Sequence, residues 1–278
     1  MKKTLQIGRL KLCWLRGGSF ELDGGTAFGP VPKTLWSKKI SADQDNYVPI
    51  RAWPILVKTP TELIILESGL GNKLSGKQRK IFRIREEWYI LQDLADLGIR
   101  REEIDYVILS HYDWDHSAGV VMHEAGRLEL TFPKARHIIQ KTEWEDVLHP
   151  NKRSSHTYWQ INIETLQKSG NLELVQGESE IVRGIKAVLT GGHTRGHQIV
   201  TLESEAEKGV YLGDLLPTHM HYNPLWVTAY DNFPLDSIAM KELYLDRFVR
   251  EAAWFILYQD PIYQACKFDL EGTITNFF

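Results

Sequence analysis

The segment His111-x-Asp113-x-Asp115-His116 places four donor side chains within six residues, directly after the apolar run Tyr106–Leu109. Imidazole nitrogen and carboxylate oxygen are donors that zinc, iron and manganese share, and the mixture suits a catalytic ion better than a closed structural one. In a turn closed by Gly119, alternate side chains can point to one centre while Asp115 and His116 reach a second. A second group follows at Gly191-Gly192-His193-Thr194-Arg195-Gly196-His197, where glycine lets the backbone turn tightly enough to bring an imidazole close. Two rings from so short a loop seldom point the same way, so His193 is expected as the ligand and His197 as a packing or supporting residue. Asp214, just past Val210–Leu212, offers two oxygens that could bridge two cations.

These residues need a scaffold, and the pattern of apolar runs supplies one. Short β-rich runs recur at Ala52–Val57, Leu63–Leu66, Tyr106–Leu109, His137–Ile139, Ala187–Leu189, Ile199–Leu202, Val210–Leu212 and Trp254–Tyr258. Helical spacing marks 85–97, 141–148, 158–168 and 236–252. Strands cluster early and late with helices between, which predicts a mixed α/β chain with at least one packed sheet. Glu67, the 111–116 cluster, His193, Asp214 and Gln259 each sit just beyond an apolar run, so several strand ends can converge on one edge. No linker or composition shift divides the 278 residues, giving one domain over 1–278 with a helical crossover, or lid, at about 141–168.

Composition removes some partners. With 33 Lys+Arg against 36 Asp+Glu, the chain lacks the basic excess that nucleic acid attracts, and the basic run 73–85 reads as a solvated face. The longest apolar run, 252–258, is too short to span a bilayer. Cys13 and Cys266 have no paired spacing, and the N-terminus has no apolar core of signal-peptide length, so a cytoplasmic location is expected. His123, His137, His149 and His156 lack spacing partners and are expected to be structural or at the surface. The Gly24, Gly25, Gly29 loop has no phosphate-binding pattern.

The metal-type motifs make the chain resemble the metallo-β-lactamase superfamily of hydrolases, with its HxHxDH loop, GHTxGH loop, later Asp and last His. Asp23-Gly24-Gly25, 28–36, Leu66–Gly71, Gly213–Thr218, Ala229-Tyr230-Asp231 and Gln259-Asp260-Pro261 are similar to its acyl-homoserine-lactonase-like and glyoxalase II-like branch. The resemblance implies an α/β four-layer αββα sandwich with the site at one edge of two sheets. It covers nearly the whole chain but departs from the pattern at three positions. Asp113 stands for the second His, Gln259 for the last His, and Glu67 for the Asp of the usual D-T-G turn. Carried over residue by residue, His111, Asp113, His193 and Asp214 would hold one ion, and Asp115, His116, Asp214 and Gln259 a second. An amide oxygen is a weaker donor than imidazole, so the second position should be leakier; His219 and His221 are poor substitutes.

The implied cofactor is a pair of divalent ions, zinc first, with manganese or iron favoured by the harder oxygen ligands. An extra ligand carboxylate at 113 brings a hydroxide-bridged pair from about one positive charge to roughly zero, which weakens its acidification of water. The expected reaction is attack of a metal-bound hydroxide on a lactone, ester or thioester carbonyl. Asp115 or Asp214 would take up the proton, Tyr230 or Tyr222 would donate to the leaving oxygen, and Glu67 would orient a ligand. Tyr112, Trp114, Trp226, Tyr230 and Phe233 could wall a pocket for a small substrate with an apolar or acyl part. Two other readings share the motifs: an iron-dependent thiol or persulfide dioxygenase, and a non-catalytic binding protein that has lost two His ligands. A homodimer is the commonest assembly for such enzymes.

Overall fold

The computed structural model describes residues 3–278. Its first half contributes β1 (Leu5–Ile7), β2 (Leu10–Trp14), β3 (Ser19–Asp23), β4 (Tyr47–Arg51), β5 (Ile55–Lys58) and β6 (Leu63–Leu66). β7 (Tyr106–Ile108), β8 (Val121–Glu124), β9 (Arg127–Leu130), β10 (Arg136–Gln140) and β11 (Leu172–Val175) follow. The second half adds β12 (Glu178–Val182), β13 (Ile185–Leu189), β14 (Gln198–Ser204), β15 (Glu207–Tyr211), β16 (Trp254–Ile256), β17 (Ala265–Phe268) and β18 (Ile274–Phe277). The helices are α1 (Gly24–Phe28), α2 (Lys33–Trp36), α3 (Gly76–Ile81), α4 (Ile90–Asp96), α5 (Trp114–Ser117), α6 (Lys141–Leu148), α7 (Gln160–Ser169) and α8 (Pro234–Arg250). Two seven-stranded sheets result, in the orders β1-β2-β5-β6-β7-β10-β11 and β12 to β18 in sequence.

Period-two burial turns these sheets into layers. Val57, Ile64, Leu66, Ile108 and Ile138 from the first sheet share one core with Val200, Leu202, Tyr211 and Ile256 from the second. Their neighbours in sequence face outwards: Leu56, Ile65, Val107 and Ile139 pack with Ile90 and Leu94 of α4, Trp144 of α6 and Leu166 of α7. On the far side Ile199, Val210, Leu212 and Phe255 pack with Leu245, Phe248 and Val249 of α8. Helix, sheet, sheet, helix is the αββα order. Each fully buried aliphatic chain contributes about 1.5–3 kcal/mol, which is why both faces of these strands are apolar. Cys13 and Cys266 lie in different outer cores, so no disulfide joins them. No helix among the described residues is long and apolar enough to cross a membrane.

Strand direction carries the chemistry to one edge. β6, β7 and β10 are parallel neighbours, so their C-termini emerge together. In the second sheet β13 and β15 both run antiparallel to β14, and β16 is parallel to β15, so these three ends also emerge together. The sheets are joined near that edge, where the Gln198 backbone N–H donates to the Ser110 carbonyl at 2.8 Å and its amide to the Leu109 carbonyl at 2.7 Å.

Two expected elements are shorter than their periodicity. The 85–97 stretch is helical only as α4, because the Arg85 N–H donates to Ser19 O and the Tyr89 N–H to Arg16 O, tying its first part to β3 and the β2–β3 connection. The 52–57 run begins as a strand only at Ile55, since Ala52 and Trp53 donate to Gly18 O and Tyr258 O ahead of Pro54. The three arginines of the basic run are absorbed by ion pairs, Arg79 with Glu87, Arg85 with Glu21, and Arg83 with Glu21, Asp43 and Asp45. Lys73 instead points inwards to the Ala118 and Val121 carbonyls, and burial pulls its ammonium down to about 8.

His137 on β10 is buried, and burial lowers its ring to about 4 against an ordinary 6.5. The unfolded chain therefore takes up the proton first as pH falls below 6.5, and stability is lost until about pH 4. His137→Leu should make the loss of unfolding free energy between pH 7 and 4.5 smaller by about 2 kcal/mol in denaturant titrations. Equal losses in both proteins would show that this ring is not linked to folding.

Candidate metal centre

After β7 the chain is gripped by two buried carboxylates. The Ser110 N–H donates to Glu67 Oε1 at 2.8 Å and the Tyr112 N–H to Glu143 Oε1 at 2.9 Å, while Ser117 Oγ closes the turn on the Tyr112 carbonyl. Glu67 holds its place at the end of β6 with φ of 62°, a left-handed conformation uncommon for a side chain of this type. His111 Nδ1 pairs with Ser110 Oγ at 2.9 Å, which leaves Nε2 turned to the edge. The His193 ring is set by Asp231, whose Oδ1 accepts from Nδ1 at 2.7 Å. Gly196 lets this loop touch α6, for a Cβ there would lie 2.1 Å from the Glu143 nitrogen.

The inward atoms converge. Asp113 Oδ2 lies 3.6 Å from His111 Nε2 and 3.4 Å from His193 Nε2, and Asp214 Oδ2 lies 3.5 Å from His193 Nε2. Single donor atoms of His111, His193 and Asp214 all fall within 4.8 Å of one another. Asp214 Oδ1 faces the other way, 3.2 Å from His116 Nε2, which is itself 3.5 Å from Asp115 Oδ2. Both His111 Nε2 and His193 Nε2 are buried with no hydrogen-bond partner among the described residues. Leaving such atoms unpaired costs about 1–3 kcal/mol each, and a cation between them and the two carboxylates would satisfy all four residues.

Charge points the same way. Burial works against the charged forms of His193 and His116, yet Asp214 and the carboxylates around them outweigh it and raise both rings well above the ordinary imidazole range. Burial likewise opposes ionisation of Asp113, but the His111 and His193 rings beside it lower it well below the usual carboxylate range. Asp214 is also lowered, with His116 and His193 overcoming its burial. Asp115 moves the opposite way, raised by burial and by Asp214 and Asp113. The site attracts positive charge at one side and holds a more proton-avid carboxylate at the other.

The remaining expected residues divide. His197 Nε2 accepts the Asp214 N–H at 3.1 Å and its Nδ1 meets Thr190 Oγ1 at 2.8 Å, so it supports Asp214 without facing the centre. Gln259 Nε2 lies 2.8 Å from Asp115 Oδ2 and 3.0 Å from His116 Nε2. His219 is tied to Asp260 at 2.5 Å, and both nitrogens of His221 are engaged, with Thr218 Oγ1 and Ala27 O, so neither ring replaces Gln259. A cavity of about 300 Å³ opens over the cluster, with Asp113, Asp115, His193, Asp214 and Gln259 below and Phe20, Leu22, Ile50, Phe82 and Trp114 to the side. Of the five aromatic residues expected to wall it, only Trp114 and Tyr230 do so. Tyr112 is buried edge-on against Trp144, Trp226 packs on Phe28, and Phe233 sits exposed at the start of α8. Tyr222 donates to the Asp269 carbonyl and lies outside the cavity.

Three residues were not singled out for these roles in the sequence. Asp231 orients His193 from a segment whose only signal was Ala229-Tyr230-Asp231. Glu143 accepts from the Tyr112 N–H, Tyr158 OH and Thr194 Oγ1, tying both donor loops to the crossover. His156, expected to be structural or at the surface, is exposed and also lines the cavity with Thr157. Helices α6 and α7 lie on the outer face of the first sheet, so the connection between them is the part of the crossover that reaches the site. A larger groove of about 740 Å³ elsewhere is lined by charged pairs such as Lys186–Glu178 and includes none of the cluster.

Comparison with known proteins agrees with this architecture. Residues 49–251 match the sequence profile of the metallo-beta-lactamase superfamily. An N-acyl homoserine lactonase of Bacillus thuringiensis is 28% identical over 160 residues, which span 57% of each chain. The crystal structure of a probable metal-dependent hydrolase from Staphylococcus aureus is 40% identical, covering 99% of this chain and 98% of that one, with a TM-score of 0.94. AidC, a dizinc quorum-quenching lactonase solved with a product, shares the fold at a TM-score of 0.80 and 22% identity, over 100% of this chain and 96% of its own. A profile spanning most of the chain, two sheets with helices outside them and donors gathered at the shared edge have one common explanation: the chain belongs to the metallo-β-lactamase superfamily.

Proposed function

We propose that the protein is a metal-dependent hydrolase that opens a lactone, ester or thioester carbonyl in a small molecule whose apolar or acyl part fills the cavity. The observation that carries this reading is the pair of buried, unpartnered Nε2 atoms of His111 and His193, aimed at Asp113 and Asp214 beneath an apolar wall. These four residues would hold a divalent ion, zinc first and manganese or iron next; Asp115, His116, Asp214 and Gln259 would form the second position in the two-ion arrangement that the family resemblance implies. A divalent ion there supplies polarisation of the carbonyl and an acidified water.

The chain's own groups do the rest. Asp115 accepts the proton of the attacking water, because burial and Asp214 raise its proton affinity and its backbone carbonyl is held by the Tyr258 OH at 2.6 Å. Asp214, held ionised, keeps its oxygens for binding and orientation. Tyr230 stands at the rim under Arg153, its phenol kept protonated by burial and by Asp115 and Asp113, and donates to the oxygen of the substrate. Phe82 stacks on Trp114 with ring centres 4.1 Å apart, and this pair with Phe20 gives the acyl part a dry surface.

The test is hydrolysis of an acyl homoserine lactone, a thioester and an aryl ester by protein stripped with chelator and then reloaded with zinc or manganese. Turnover of at least one class should vanish on stripping and return on reloading. Loaded protein that turns over none of the three would overturn the hydrolase reading.

A further inference from the structure

We infer that the centre holds one ion rather than two, with the side-chain amide of Gln259 taking the place of the second. The inference rests on the metal-centre reading above and refines it. The two halves of the cluster differ in how their donor atoms are satisfied. On one side His111 Nε2 and His193 Nε2 are buried, face carboxylate oxygens at 3.4–3.6 Å and make no hydrogen bond among the described residues. On the other, His116 Nε2 has Gln259 Nε2 at 3.0 Å, and Asp115 Oδ2 has the same nitrogen at 2.8 Å.

The chemistry of that contact fixes which end of the amide faces inwards. An ionised carboxylate oxygen only accepts, so the amide nitrogen 2.8 Å from Asp115 Oδ2 donates to it; its 3.0 Å approach to His116 Nε2 is a close contact, because that ring nitrogen faces Asp214 Oδ1 at 3.2 Å and donates there. Gln259 reaches them from an anchored backbone, for its carbonyl accepts the Arg51 N–H at 3.2 Å. The next residue, Asp260, accepts from the backbone N–H groups of His219, Ile262 and Tyr263. Placing an ion between Asp115 and His116 would require the amide to turn over, lose its hydrogen bond to Asp115 and offer a weak neutral oxygen in return.

The departure at Asp113 complements the one at Gln259. One divalent ion held by His111, His193, Asp113 and Asp214 is already neutralised by two carboxylates. His116, 3.2 Å from Asp214 Oδ1 and 3.4 Å from Glu67 Oε2, then acts as a positioning residue for the outer oxygen of Asp214. Asp115 stays unligated and oriented by the Gln259 amide.

Metal-free protein titrated with zinc chloride, and separately with manganese chloride, would be read by native mass spectrometry and elemental analysis. Wild type should saturate at about one equivalent per chain and Gln259→His at about two, the added imidazole restoring a strong donor. Cobalt(II) absorption should break at the same ratios, which gives a readout independent of turnover. Two equivalents in wild type would overturn the inference and leave the metal-centre reading intact; none would overturn both. Folded Gln259→His that still stops at about one equivalent would show that the amide is not what closes the second position. The wild-type ratio decides the matter even where that variant fails to fold.

Discussion

Asp214→Ala should lose the bound ion on gel filtration and lower kcat/KM by about a thousandfold, close to 4 kcal/mol of transition-state stabilisation. The expectation follows from position rather than from residue type. Asp214 is the one carboxylate whose two oxygens face both halves of the cluster, 3.5 Å from His193 Nε2 and 3.2 Å from His116 Nε2. It has no freedom to be replaced by a neighbour, because its backbone N–H is held by His197 Nε2 and the preceding Gly213 takes φ of 53°. Removing the carboxylate leaves two buried imidazoles without the charge that now dominates their ionisation. Asp214→Asn keeps the shape and removes the charge, so it should lose metal almost as fully. Metal retained at the wild-type ratio by Asp214→Ala, with kcat/KM within tenfold, would refute its assignment as a ligand.

Much of this site was legible because metal ligands must lie close to one another and strand ends are where close residues come from. The 111–116 cluster is local in sequence, and the recurrence of a polar residue after each apolar run placed Glu67, His193, Asp214 and Gln259 at the same edge. The four layers came from the family resemblance alone: Ile64, Ile65 and Leu66 are apolar throughout, and only the structure assigns them to opposite cores. What stayed hidden depended on contacts between distant segments. Nothing near Glu143 announces that one carboxylate will serve Tyr112, Tyr158 and Thr194, and Trp114 and Tyr230 line the cavity while Tyr112, Trp226 and Phe233 do not, because side-chain direction after a loop has no periodicity to read. Trp226 and Tyr222 follow Asp214 closely in sequence yet face Phe28 and Asp269. The pairing of Gln259 with Asp115 and His116 was equally invisible, since sequence gives a donor's identity but not what already satisfies it.

Asp113→His should bind zinc about tenfold more tightly, shift preference away from manganese and raise hydrolysis by about tenfold. Asp113 lines the cavity, so a side chain there borders open space on one side. Its Oδ2 meets His111 and His193 at 3.6 and 3.4 Å, so an imidazole there remains within reach of the same ion. The substitution exchanges a hard anionic donor for a neutral one and would leave a one-ion centre, as inferred above, with about one positive charge instead of none. A more positive centre acidifies its water further and stabilises a developing oxyanion more. Competitive zinc and manganese titrations read the first effect, and the pH profile of kcat/KM the second, its acid limb moving to lower pH. Should hydrolysis collapse while zinc is still held, the Asp113 carboxylate acts in the reaction itself, and the charge of the centre is not what limits the rate.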